Sequence, residues 1–302
     1  MLLYNIRKGD FIMFEIIEDT LIDSIKLLPF LFITYLIMEY IEHKMGEKSK
    51  KIIKKSGKFG PIIGSALGIF PQCGFSVSAT NLYAGRVITL GTLISVYLAT
   101  SDEMIPIFIS EGTPISVIIK ILGLKLIIGI IGGFLVDFIY RFVKNRKGNN
   151  EDKEDDGITH ICEEEHCHCD ESGIFKSAIK HTVNIFLFII LVTFVINILV
   201  YVIGEENIAN ILLNKPIIGP IIAGLIGLIP NCAASVILTN MYLENVISVS
   251  SLIAGLLTGA GVGLAVLFKI NKGLKENFKI VGILYSIGVI AGIILEFIGI
   301  KI

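Results

Sequence analysis

The chain has 302 residues, 53% of them hydrophobic and only 18% charged, with a mean hydropathy of +0.78. A soluble domain of this size needs a more polar shell, and the apolar runs are continuous rather than alternating, which excludes porin-like strands. Several runs approach the roughly 20 residues that carry a helix across a bilayer, so the fold class is an all-α integral membrane protein. The formal net charge of −1 hides a segregation: ten acidic residues and the single Lys153 lie between Asn150 and Ser172, leaving 25 Lys and Arg against 17 Asp and Glu elsewhere. A basic membrane body is explained by positively charged loops that orient the chain, without nucleic acid as a partner.

Met1 to Thr20 lacks an apolar core followed by a small-residue cleavage site, so no signal peptide is expected. From there the chain reads as two copies of one unit. Shifting the sequence by 159 positions lays Gly60-Pro-Ile-Ile63 on Gly219-Pro-Ile-Ile222, Pro71 on Pro230, Cys73 on Cys232 and Thr80-Asn81 on Thr239-Asn240. Between Gly60 and Thr89, 14 of 30 positions are identical, and the register still holds at Gly133/Gly292 and Phe138/Phe297. Residues 1–144 form the first transmembrane repeat, 145–173 a polar linker and 174–302 the second repeat.

Each copy reads as four apolar segments: about Ile25–Tyr40, Pro61–Ala84, Val87–Ile109 and Ile121–Tyr140, then Val183–Ile203, Pro216–Leu243, Val246–Phe268 and Ile280–Ile298. The basic loops Lys44–Lys58, Arg141–Lys147 and Lys269–Lys279 belong to the cytoplasmic side, and Gly204–Asn207 to the outside. All four assignments hold if the segments containing Pro71 and Pro230 enter and return on one side. Each copy then makes three crossings plus a re-entrant hairpin, the second copy is inverted, and both termini are external. A parallel eight-crossing arrangement is the alternative, and counting the broken segments separately gives ten.

Within the second segment of each copy, Pro71 and Pro230 interrupt the helix and free the carbonyls of Leu67 and Ile226. Gln72-Cys73 and Asn231-Cys232 follow, with Ser76, Ser235, Thr80-Asn81 and Thr239-Asn240 downstream. A packed proline kink explains one such break, but two at matching positions point to a substrate pathway. Irregular backbone at membrane depth is tolerated only where protein buries it or a cavity lies beside it. Thr80, Asn81, Thr239 and Asn240 either line that pathway or act as interhelical hydrogen-bond glue.

The third segment carries Ala99-Thr-Ser-Asp-Glu-Met-Ile-Pro106, so Ser101, Asp102 and Glu103 fall in its middle. Ionisable residues inside a membrane segment are functional candidates by default, and Pro106 suggests a second interruption. The corresponding stretch, Thr258–Gly263, places Gly261 opposite Asp102 and supplies thin, flexible backbone instead. Asp137 and Glu296 occupy matching helix ends at an interface or vestibule, and His43 and His181 read as ordinary interfacial residues.

The linker contributes His160, Cys162, His166, Cys167, His168 and Cys169, a labile metal-binding tract by composition that lacks paired C-x2-C spacing. Carboxylates, amides, freed carbonyls, Cys73 and Cys232 together suit a borderline divalent metal. No phosphate-binding loop, zinc-protease helix or intramembrane nucleophile–base pair is present, so the reading is a transporter and not an enzyme. Transport then runs on an ion gradient, with metal and proton competing for Asp102 and Glu103. No tightly bound cofactor is expected beyond the transported ion; the partners are that metal ion and the lipid bilayer, and the sequence allows a homo-oligomer.

The motifs Phe70-Pro-Gln-Cys73-Gly, Ala99–Pro106 and Ile229-Pro-Asn-Cys232, with the Cys/His-rich linker, resemble the family of manganese transporters also described as ten-helix heavy-metal exporters or arsenic-efflux-like permeases. The resemblance covers nearly the whole chain. It implies metal-ion efflux as a multi-pass protein of the cell membrane, with Mn2+ as the first candidate. Arsenite or organoarsenical efflux is the alternative. Gln72, Gly74 and Asn231 stand where arsenic permeases carry more cysteine. An intramembrane enzyme acting on a lipid-linked substrate, or a metal sensor read through the linker, are readings from other classes.

Overall fold

The computed structural model describes residues 17–18, 20–22, 24–29, 31–37, 40, 59–70, 73–101, 104–146, 174–203, 217–271 and 273–299. Those residues are mostly helical, with no strand among them, and contain six helices long and apolar enough to cross a membrane, as an all-α integral membrane protein requires. In chain order the helices are α1 (Thr20–Ile37), α2 (Gly60–Gly68), α3 (Gly74–Ala84), α4 (Leu90–Ala99), α5 (Met104–Ser110) and α6 (Ile115–Arg146), then α7 (Ile174–Ile203), α8 (Ile218–Gly227), α9 (Ala233–Leu243), α10 (Val249–Thr258), α11 (Val262–Ile270) and α12 (Leu274–Ile298). The expected second and third segments of each half are each divided into two helices. The divisions fall between Gly68 and Gly74, Ala99 and Met104, Gly227 and Ala233, and Thr258 and Val262.

The interrupted spans form the centre. Val249–Ile270 is 89% and Leu90–Ser110 75% enclosed by protein, whereas Ile115–Val143 and Ala178–Ile198 are 28% enclosed and form the periphery. On α6 the exposed residues Ile127, Ile131, Phe134 and Phe138 recur at helical spacing. In water that stripe would be a large apolar patch; against lipid it is the solvent-facing surface.

Lipid tails supply no hydrophobic drive for helices to associate, so contact depends on close approach of small residues. Gly60 faces Thr92, Gly64 faces Ser95, and Gly68 faces Ala99, so α2 runs beside α4 in the same direction. A β-carbon on Gly68 would lie 2.6 Å from Val96 O, and one on Gly133 of α6 would lie 2.7 Å from Gly91 O. Gly227 makes the corresponding approach to Gly255 and Thr258, and Gly292 to Ser250.

From α3 the chain turns back. Arg86 (φ 58°) adopts the left-handed conformation, Val87 N donates to Leu82 O (2.8 Å) and Arg86 N to Tyr83 O (2.9 Å), which closes a Schellman turn. Thr80 before the turn then meets Tyr97 after it (2.6 Å), so α3 lies antiparallel to α4 and therefore to α2. Asn245 (φ 59°) ends α9 with matching bonds from Val246 N to Met241 O (2.8 Å) and from Asn245 N to Tyr242 O (3.0 Å).

The next helices begin on matching caps. Thr89 Oγ1 accepts from Thr92 N (3.1 Å) and Ser248 Oγ from Ser251 N (3.3 Å). Asp137 and Glu296, expected at an interface or vestibule, complete these caps. Asp137 is buried and accepts from Gly91 N (2.8 Å) and Thr89 Oγ1 (2.8 Å), while the half-buried Glu296 accepts from Ser248 Oγ (3.0 Å) and from Ser250 Oγ. A carboxylate at a helix N-terminus is favoured by the unpaired amides and the backbone dipole there. His181 is buried and stacks on Tyr35 with ring centroids 5.3 Å apart. His43 lies outside the described residues.

Because the atoms facing Gly133 are Gly91 O and the β-carbons of Pro61 and Ser95, which no rotamer change can swing aside, Gly133→Val should lower the melting temperature of the purified protein, an overpacking cost of about 1–3 kcal/mol. Gly123, with no atom within 4 Å of a built β-carbon, is the control: Gly123→Ala should melt with the parent.

Candidate functional site

The two interruptions flagged by proline meet. Cys73 and Cys232 stand immediately before α3 and α9, each at the N-cap position, and their sulfurs are 2.9 Å apart in a buried contact between thiols not joined as a disulfide. The positive ends of two helices therefore converge on one sulfur pair. Around it Leu27, Leu31, Val77, Ile185, Ile189, Val262 and Val266 form an apolar wall.

Polar side chains line the helices leading away. On α3, Ser76 Oγ donates to Cys73 O (2.8 Å) and Thr80 Oγ1 to Ser76 O (2.7 Å); on α9, Ser235 Oγ donates to Cys232 O and Thr239 Oγ1 to Ser235 O (both 2.7 Å). These hydroxyl protons are committed to the helix backbone, so the oxygens present lone pairs, the arrangement that a cation needs. Tyr97 Oη donates to Thr80 Oγ1 (2.6 Å) and also lies 3.3 Å from Gly263 O, bringing α3 and α4 against α11. Asn231 Oδ1 accepts from Cys232 N (2.6 Å), Asn231 Nδ2 donates to Asn197 Oδ1 (2.6 Å), and Asn197 Nδ2 donates to Thr20 Oγ1 (3.0 Å). Asn81 Oδ1 accepts from Tyr35 (3.2 Å), while its buried Nδ2 has no acceptor among the described residues.

Ser101 is buried beside the second interruption and donates to Ala99 O (3.0 Å), and Asn240 is half-buried on α9. In the matching break, Gly261 has φ +53° and ψ −144°, a conformation that L side chains rarely adopt. Gln72, Asp102 and Glu103 lie outside the described residues, as do His160, Cys162, His166, Cys167, His168 and Cys169 of the linker.

Sequence reasoning did not single out Lys125. It is fully buried in α6, and its ammonium donates to Thr100 O and to Leu256 O (3.0 Å). A lysine at the centre of a transmembrane helix costs about 2.5–3.5 kcal/mol on insertion scales, and hydrogen bonds to a charged donor are what offset it. Tyr97, Asn197 and Thr20 were likewise missed.

A direct check on the meeting of the two breaks is covalent. In protein carrying Cys162→Ser, Cys167→Ser and Cys169→Ser, mild oxidation should join Cys73 to Cys232 within one chain, since a bridge needs the sulfurs only about 2.05 Å apart. Mass spectrometry of the digested protein should show that linked peptide, and Cys232→Ser should abolish it.

A family described as "Putative, 10TM heavy-metal exporter" matches residues 12–199 and again residues 159–272. No curated protein and no solved structure is measurably similar to the chain. Beside the six membrane-length spans, Ile218–Gly227 and Ala233–Leu243 are shorter apolar helices among the described residues. The chain belongs to this family of ten-helix heavy-metal exporters.

Proposed function

We propose that the protein is a secondary transporter that exports a metal ion across the cell membrane, through a pathway between two inverted halves. The observation that carries this reading is the 2.9 Å contact of Cys73 with Cys232, which are 159 residues apart. A residue that touches its own counterpart lies at the two-fold axis relating the copies, so the two helix breaks share one central site. Inverted rather than parallel halves are supported by α1 and α7, counterparts that pack antiparallel: Thr20 bonds to Asn197 while Tyr35 stacks on His181. An axis in the membrane plane relates helices in that way, whereas an axis along the membrane normal would leave them parallel. The antiparallel course of α2 and α3 supports a re-entrant hairpin.

Asp102 and Glu103, one segment beyond the breaks in the first copy, are the anionic ligands and proton carriers of this reading, so that metal and proton exchange at one pair of carboxylates. Gln72, Cys73, Ser76, Thr80, Asn81 and Ser101 line the pathway from the first copy, and Asn231, Cys232, Ser235, Thr239 and Asn240 from the second. The carboxylate and neutral oxygen ligands favour Mn2+ or a similar divalent ion, and the linker His and Cys residues capture metal on the cytoplasmic side. The thiol pair favours a second reading, a thiophilic substrate such as Cu+, arsenite or an organoarsenical, because two sulfurs that close match a soft ion better than Mn2+.

Uptake of Mn2+, Zn2+, Cu+ and arsenite into inside-out vesicles tests export and separates the two readings. One of these should accumulate and should be lost on adding a protonophore. Asp102→Asn should abolish the flux while the protein still purifies as a folded species. With Mn2+ as cargo, Cys73→Ser should retain most of the flux; with a thiophilic cargo it should lower affinity by more than about tenfold, roughly 1.4 kcal/mol. No flux of any of the four, or a fully active Asp102→Asn variant, defeats the corresponding part of the reading.

A further inference from the structure

Helix interruptions leave carbonyls without amide partners at the end of the first piece, and those carbonyls sit at the negative end of the backbone dipole. Thr100 is the C-cap residue of α4, and Leu256 belongs to the last turn of α10. Their two carbonyl oxygens, one from each half of the chain, both accept from the Lys125 ammonium. In ion-coupled transporters, half-helix C-termini and unwound carbonyls of this kind hold the coupling cation. An ammonium and an alkali cation carry the same charge and seek the same oxygens. The position 159 residues on is Leu284, equally buried, so the second half supplies no counterpart charge.

We propose that Lys125 is a tethered stand-in for a coupling alkali cation. Its ammonium fills the carbonyl cage between α4 and α10 and clamps the two halves there, so the junction closes without Na+ or K+. Relative movement of the halves then requires the lysine to give up the Thr100 or the Leu256 carbonyl. Asymmetry follows directly, because the clamp is anchored on α6 of one half only.

The test needs no flux, so its outcome is separable from that of the export experiment and from the identity of the exported ion. Full-length protein carrying Cys162→Ser, Cys167→Ser and Cys169→Ser is labelled with N-ethylmaleimide, and the rate at Cys73 and Cys232 reports opening between the halves. The parent should label slowly and at the same rate in choline, Na+ or K+ chloride. Lys125→Ala should label at least about tenfold faster in choline, as expected for loss of charge-assisted bonds, and Na+ or K+ should slow it toward the parent rate. Lys125→Arg, which keeps the charge, should stay near the parent. Lys125→Gln keeps a donor of similar size without the charge; it should behave like alanine, and it carries the test if Lys125→Ala does not fold. Acceleration that neither ion reverses makes Lys125 a packing tie and overturns the proposal. So does a parent whose rate responds to Na+ or K+, or variants that label at the parent rate in choline.

Discussion

Hydrocarbon offers no hydrogen bonds, so every amide and carbonyl released by a broken helix must find a partner within the protein. This chain breaks its membrane helices at four described places and satisfies their ends with side chains of matched polarity. At the start of α9, Asn231 Oδ1 takes the Cys232 amide, and Ser76 and Ser235 fold their hydroxyls back onto the carbonyls that open α3 and α9. Asp137 and Glu296 receive donors at the starts of α4 and α10. At the opposite ends of those same helices, where carbonyls accumulate, the partner is the Lys125 ammonium. Acids at N-termini and a base at C-termini is the distribution that the backbone dipole favours. The thiol pair then lies where two positive helix ends meet.

The same constraint explains why the central helices are built from Gly, Ser, Thr and Ala. Where α2 meets α4 through Gly68 and Val96, or α6 meets α4 through Gly133 and Gly91, backbone touches backbone, and dispersion contacts supply what hydrophobic exclusion supplies in water. Large apolar residues are moved to the lipid face, as on α6. Between these close approaches, large side chains from both halves, among them Leu93, Ile94, Tyr97, Ile253, Leu257 and Leu264, fill one buried cluster.

Much of this was legible in the sequence. The 159-residue offset located both breaks, because Pro71–Cys73 and Pro230–Cys232 interrupt long apolar runs at the same place. Pro106 and the glycines near Gly261 marked the second pair of interruptions. The antiparallel return of α3 was inferred from loop charge, which carries no information about distance. The sulfur contact was therefore out of reach: identity at matching positions does not say that the positions touch. Lys125 was missed because one lysine in the apolar run Ile121–Tyr140 looks like a snorkelling residue, much as Lys120 one turn earlier is exposed. The signal was nevertheless available, since Lys125 faces Leu284 in the shifted alignment just as Asp102 and Glu103 face Gly261 and Val262. Asn197 and Tyr97 had no such signal, because single polar residues in apolar runs are common and only their neighbours in space give them a role.

On the proposed reading, that asymmetry bears on how an inverted pair of halves can work with direction. If the copies were chemically alike, the two access states would be mirror equivalents, with no preference between sides beyond the gradients. On that reading the thiol pair would lie at the axis, be presented equally to both states and serve as the common point of passage. Lys125, Asp102 and Glu103 all belong to the first copy and lie off that axis in the sequence register, so the two states must differ in how these charges are placed relative to each side. The neutral ligands of the breaks then provide a symmetric site, and the charges of one half make the energies of its two exits unequal. On this reading the duplication supplies the geometry of alternating access, and the few residues at which the copies disagree supply its direction.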